Sequence, residues 1–217
     1  MKSDLELQKA VQEELAFEPA VVATDIGVTA KGGVVTLVGT VASYAEKWAA
    51  ERAAERVSGM RALAKELVVN LPGSSQRTDA EIAAAALREL EWDVEVSGCN
   101  IQVEVELGTL ALRGEVEWNY QREAAERDVR KLTGVVCVLN DLTLRPSASP
   151  RQVRSKIEAA LQRAAMKEAR HIVVEASGSK VVLRGEVQSW AERAEAERAA
   201  WAAPGVLTVV DEIRVCT

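Results

Sequence analysis

Apolar residues recur at every fourth position in three places: Leu7, Val11, Leu15; Ile82, Ala86, Leu90; and Val153, Ile157, Leu161. That spacing puts an apolar stripe on one side of a helix. Each stripe is preceded by a capping-box sequence, Ser3-Asp-Leu-Glu6, Thr78-Asp-Ala-Glu81 or Ser149-Pro-Arg-Gln152. In this motif the hydroxyl accepts from the third backbone N–H and the acid or amide reaches back. Pro150 falls at the first helical position, where its missing N–H costs nothing. The period then changes to two at Ile26/Val28, Ile101/Val103/Val105 and Ile172/Val174, with Gln102, Glu104 and Glu106 between the apolar residues of the second set. One face of these strands is buried and the other is wet. Short turns, Lys31-Gly32-Gly33, Leu107-Gly108 and Ser177-Gly178, lead to second strands at Val35/Leu37, Leu110/Leu112 and Val181/Leu183. Each pair reads as a β-hairpin, with Arg113 and Arg184 outward.

A second helix follows each hairpin. It opens on Ser43-Tyr-Ala-Glu46 and Ser189-Trp-Ala-Glu192, while the middle stretch has Trp118 in the cap serine's place and Asn119 as the candidate substitute. Last strands follow at Leu63/Leu67/Val69, Val138/Leu142/Leu144 and Val209/Ile213/Val215. Glycines set the register of the whole pattern: Gly39, Gly114 and Gly185 stand twenty residues before Gly59, Gly134 and Gly205. Self-similarity of this kind decides the domain count before any motif is read. The prediction is three modules, residues 1–72, 73–147 and 148–217. The fold class is α+β: three tandem αββαβ modules, each a two-layer sandwich of two helices on a three-stranded mixed sheet. A right-handed crossover makes the last strand parallel to the second.

Composition agrees with small folded units. Modules of roughly 70 residues are about the smallest that fold on one core without a metal or disulfides. The chain of 217 residues is 48% hydrophobic and 28% charged, as in ordinary globular proteins. No apolar run approaches the roughly 20 residues of a membrane span. The opening MKSDLELQKAVQEEL is acidic and amphipathic, unlike a secretion signal. The sequence as written is therefore expected in the cytoplasm, or in the periplasm if a leader precedes it. Cys99, Cys137 and Cys216 occupy no equivalent positions, which excludes a repeated metal site or disulfide framework. The net charge of −6 is uneven: eight basic against ten acidic side chains in the first module, eight against fourteen in the second, eleven against nine in the third. Only the third, at +2, favours an anionic partner.

The strand V-x-L-x-G-x-V, the capped Ala-rich helix and the close Gly134-Val-Val-Cys-Val-Leu-Asn-Asp-Leu-Thr-Leu144 resemble the BON domain, the bacterial osmotic-stress and nodulation module of OsmY-type proteins. The resemblance covers nearly the whole chain in triplicate. It implies an αββαβ fold, no catalytic residues, and association with cell envelopes and phospholipid surfaces.

The residues themselves offer little chemistry. His171, the only histidine, aligns with Asp25 and Asn100 ahead of the first strand and reads as a turn residue. No phosphate-binding glycine motif stands between a strand and a helix. The recurring Glu51-Arg52, Glu126-Arg127 and Glu197-Arg198 pairs read as a solvated helix face, because adjacent helical residues do not face each other. No catalytic, metal or cofactor site is predicted. Tyr44 and Trp190 share a position, as do Phe17 and Trp92. Both sets suit either small-core packing or a half-wet interface.

The sharpest signal is the third module's first helix, where Lys156, Arg163, Lys167 and Arg170 fall in a sector of about 60° beside the apolar stripe. Such a helix is either a site for anionic lipid heads or a solvated face. Nucleic acid fits poorly with an acidic chain that lacks a basic-aromatic platform. On the first module's outer sheet face Val38 and Val68 sit among Gly27, Thr29, Thr36 and Glu66, whereas the second module shows Gln102, Glu104, Glu106, Arg113 and Asp141 there. These two valines are expected to contact another module or another chain. The reading is a non-enzymatic binding protein that associates reversibly with anionic phospholipid or envelope components under osmotic or envelope stress. The alternative is a soluble protein–protein scaffold of repeated modules. The oligomeric state is not legible.

Overall fold

A computed structural model of the chain describes residues 2–145, 157, 172–203 and 205–216. The first repeat runs α1 (Asp4–Phe17), β1 (Ile26–Lys31), β2 (Val34–Val41), α2 (Tyr44–Glu55), β3 (Ala62–Val69). The second runs α3 (Asp79–Trp92), β4 (Asn100–Glu106), β5 (Thr109–Val116), α4 (Asn119–Val129), β6 (Cys137–Leu144). The third shows β7 (Val173–Ser177), β8 (Lys180–Val187), α5 (Trp190–Trp201) and β9 (Thr208–Val215). Each repeat forms its own three-stranded sheet with the middle strand central. In the second, β4 is antiparallel and β6 parallel to β5. In the third, β7 and β9 bear the same relations to β8. The mixed sheet and the parallel return follow from the β-α-β crossover.

By spatial proximity the chain falls into two compact units, Met1–Val38 with Ala50–Glu66 and Pro146–Thr217, and Gly39–Ala49 with Leu67–Arg145. In the latter, a single cluster joins Ile82, Ala86 and Leu90 of α3 to Leu110 and Leu112 of β5, Ala124 and Val129 of α4, and Leu142 of β6. In the former, Ile157 closes a second cluster with Val174, Leu183, Ala196, Ala200 and Ile213. The apolar stripes of α1 and α3 are buried as their spacing requires. Ile26, Leu37 and Leu67 are buried too.

The repeated glycines adopt repeated conformations. Gly39, Gly114 and Gly185 have φ of 144°, 133° and 145°, and Gly59, Gly134 and Gly205 have φ of 95°, 97° and 84°. At Gly114 the need is steric as well, because a Cβ there would overlap the Asn100 carbonyl oxygen across the hairpin.

Among the described residues, caps form where the sequence writes them, with one exception. Ser3 and Thr78 close full capping boxes with Glu6 and Glu81, and Ser43 and Ser189 accept from Glu46 N (3.1 Å) and Glu192 N (3.2 Å). The box at Ser149 lies outside the described residues. Asn119 does not replace the missing serine of α4. It is already the first residue of the helix, where its Nδ2 donates to Glu123 (2.7 Å). Trp118 is the cap residue, and Gln121 Oε1 accepts from Glu117 N (2.9 Å) and Trp118 N (3.0 Å) instead.

Candidate docking site

The first turn of the central helix carries an aromatic side chain that leaves its own module. Ser189 starts α5, which projects Trp190, whose indole Nε1 donates to the main-chain carbonyl of Met60 at 3.2 Å. The guanidinium of Arg193, held by Asp211 at 2.6 Å, lies 5.2 Å from the Trp190 ring centroid, within reach of a cation–π contact. Beyond Trp190, Ala191, Ala194, Glu195 and Arg198 of α5 line a groove of about 260 Å³ with Arg52, Glu55 and Arg56 from the end of α2. Its arginines bond to carboxylates: Arg56 to Glu14 (2.6 Å) and Glu18 (3.1 Å), Arg198 to Glu195 (2.6 Å), Arg52 to Glu55 (3.5 Å).

A contact between the corresponding elements recurs with different residues in the other unit. Tyr44, the sequence equivalent of Trp190, packs half-buried against the second module's core cluster, which includes Val135, the equivalent of Met60. One turn on, Trp48 lies under the Arg130 guanidinium, 3.6 Å from its centroid. Arg130 is in turn the equivalent of Glu55 in the groove. The start of one module's central helix thus meets the end of another's central helix, first as Trp190 on the first module and again as Tyr44 on the second.

The outer sheet faces differ as expected. Arg184 pairs with Glu175 (2.8 Å) and Glu212 (2.7 Å), and Arg113 lies between Glu104 and Asp141. The first module has Val38 at this position. Val38 is 45% and Val68 61% exposed, so their contact with another module or chain remains a proposal.

Two features escaped the sequence reading. Asp4 accepts from Gly32 N (2.8 Å) and Gly33 N (3.0 Å), and Asp79 from Leu107 N and Gly108 N (both 2.9 Å). The first residue of α1 and the first residue of α3 thereby each clamp the hairpin turn of their own module. Those N–H bonds, Gly33 then Gly32, hold the Asp4 carboxyl below its ordinary range. The only sequence signal is an Asp directly after the cap residue. In the third module Pro150 stands there.

The second feature is a carboxyl pair. Asp93, at the end of α3, and Asp128, in α4, come close enough to share a hydrogen bond once one of them is protonated, and Arg127 approaches both (3.5 and 3.7 Å) while bonding Glu95 at 2.6 Å. Burial first, then the bond and charge of Asp93, push Asp128 up to about 6. The Asp93 carboxyl is held low, chiefly by the bond from Asp128.

Lys156, Arg163, Lys167 and Arg170 lie outside the described residues, as does His171. The three Glu-Arg dipeptides form no common site: Glu51 bonds Lys65 (3.0 Å), Arg127 bonds Glu95 (2.6 Å) and Arg198 bonds Glu195 (2.6 Å). Cys99 and Cys137 are half-buried and Cys216 is exposed, all as free thiols. Among the described residues no group of three or more His, Cys, Asp or Glu could hold a metal ion. Nor is any helix among them long and apolar enough to cross a membrane.

The BON domain family matches the chain three times, at residues 3–70, 78–146 and 150–217. No curated protein is similar enough to count as a relative. Among solved structures, the C-terminal domain of CdsD, a structural protein of the type III secretion system of Chlamydia trachomatis, aligns over 100% of both chains at 12% identity with a TM-score of 0.26. A second CdsD structure covers 96% of this chain and 91% of its own at 15% identity and a TM-score of 0.25. Scores this low do not establish a shared arrangement.

Proposed function

The chain belongs to the BON domain family, and on that premise we propose that it is a non-catalytic scaffold whose modules grip protein surfaces. The observation that supports this is the repeated use of one face: the start of the central helix, as Tyr44 and as Trp190, seats on another module. An aromatic ring with one polar edge suits this role, since it brings large apolar area and one directional bond to a boundary that is half wet. A surface that recognises a sister module is chemically equipped to recognise a protein partner of similar shape. BON domains are binding modules, and the role assigned here adds no chemistry beyond binding.

A second reading is reversible association with anionic phospholipid in envelope or osmotic stress. The third module's surplus of basic over acidic side chains and its Lys156, Arg163, Lys167 and Arg170 favour it. Co-sedimentation with vesicles, with and without phosphatidylglycerol, separates the two. The scaffold stays in the supernatant with both. Pelleting with the anionic vesicles alone, lost on Arg163→Glu with Lys167→Glu and weakened steeply by salt, would establish the lipid reading instead.

A further inference from the structure

The last residue of α3 and the turn after it put two apolar side chains into solvent. Trp92 is 85% and Val94 90% exposed, while Leu90 and Val96 on either side are buried in the second module's core. Asp93 fixes this alternation. Its N–H donates to the Glu89 carbonyl (3.1 Å), its Oδ1 accepts from Glu95 N (2.6 Å), and its own carbonyl accepts from Ser97 N (2.8 Å). Turning Trp92 inward would pull Leu90 or Val96 out of the core. Its exposure is therefore built into the turn. The equivalent residue of the first module, Phe17, is 82% exposed just past the buried Leu15, so an aromatic projects at the end of the first helix in two modules.

The surroundings of Trp92 are acidic. Glu89, Glu91, Asp93 and Glu95 lie within three residues of it, against Arg88 and an Arg127 already bonded to Glu95. Glu89 and Glu91 form no ion pair among the described residues. An exposed indole amid carboxylates repels an anionic membrane. It attracts a cation on an apolar stem, which can lie over the ring face while its charge meets the carboxylates.

We propose that the Trp92/Val94 tip is a docking surface for a basic polypeptide segment that interleaves lysine or arginine with apolar side chains. This rests on the reading that the chain binds protein, but it uses a different surface from the central-helix face. The test is titration of the full chain with a labelled lysine/leucine amphipathic peptide, followed by fluorescence anisotropy at low and moderate salt, beside a glutamate/leucine peptide of the same length. The intact chain binds the basic peptide and ignores the acidic one. Trp92→Ser with Val94→Ser weakens binding about tenfold or more at unchanged melting temperature, as expected for an aromatic anchor. Trp92→Phe retains most of it, and Glu89→Gln with Glu91→Gln removes much of the salt dependence. The proposal is overturned if the intact chain fails to bind, if the double serine variant binds as well as the intact chain, or if it loses no more than Leu139→Ser, which alters an exposed apolar residue elsewhere in the module. Should Trp92 instead become buried in vesicles while the peptide is ignored, the protein-binding reading falls with it. If the serine variant merely binds normally, that reading survives.

Discussion

The indole N–H of Trp190 donates to the carbonyl of Met60, 130 residues earlier in the chain. That carbonyl belongs to the Met60–Arg61 peptide, whose N–H donates to Gly33 O at 2.8 Å in the first module's hairpin turn. One peptide group thus joins the third module's central helix to the first module's sheet. Both its polar ends are satisfied, as a half-buried peptide requires.

Leu107 has a φ of 49°, a left-handed conformation, in the β4–β5 turn. Both other hairpin turns put glycine at the matching place, Gly32 and Gly178 with φ of 60°. A branched aliphatic side chain here costs about 1 kcal/mol. Because Leu107 is 85% exposed, nothing in the core depends on it. Leu107→Gly is expected to raise the denaturant midpoint of the second module at unchanged slope.

Gly114→Ala should be among the most damaging single-methyl changes in the chain. The added carbon meets the Asn100 carbonyl oxygen, and φ of 133° is foreign to alanine. A loss of more than about 3 kcal/mol is expected, because strain and overpacking act together. Equilibrium unfolding followed by far-ultraviolet circular dichroism measures it.

Asp128 makes the second module more stable in mild acid. Its folded pKa, about 6, lies above the ordinary 3.8, so the folded chain binds the proton more tightly than the unfolded one. The contribution grows as pH falls through 6 toward 3.8 and is absent at neutral pH. Asp93, whose pKa is lowered, acts oppositely and only below that window. Asp128→Asn can donate its amide to Asp93 at every pH. It should flatten the melting temperature between pH 5 and 7 and raise it at neutral pH; an unchanged slope would show that the carboxyls share no proton.

Asp79→Ala removes the two acceptors of the Leu107 and Gly108 N–H groups. The turn's amides should then exchange with solvent faster, most of all at Leu107, whose conformation the clamp helps to hold. Thr78→Ala, which breaks only the cap, should leave those two amides protected.

Much of this fold is legible in sequence because each device is local. Stripes of every fourth residue, period-two strands, cap residues and paired glycines all lie within a few residues of what they determine. The Asp4 and Asp79 clamps lie 28 or 29 residues from the amides they hold, so their letters look like ordinary first-turn acids. Asn119 shows a related limit: a polar residue near a missing cap is not a cap unless its backbone precedes the helix. Aromatic periodicity marks Tyr44 and Trp190 as apolar positions, but it does not say whose core receives them. Val38 stands out because its equivalents Arg113 and Arg184 are charged. Whether a partner covers such a face is not written in the strand that bears it.

Amide hydrogen exchange on the full chain carrying Trp190→Ala tests the docking face most directly. Faster exchange is expected at the Arg61 amide and through the segment that follows α2, residues 56–61, far in sequence from the substitution, with the second module's β-sheet unchanged. A rise confined to α5 and its flanks, with Arg61 as protected as before, would contradict the claim that the central helix of one module is seated on another.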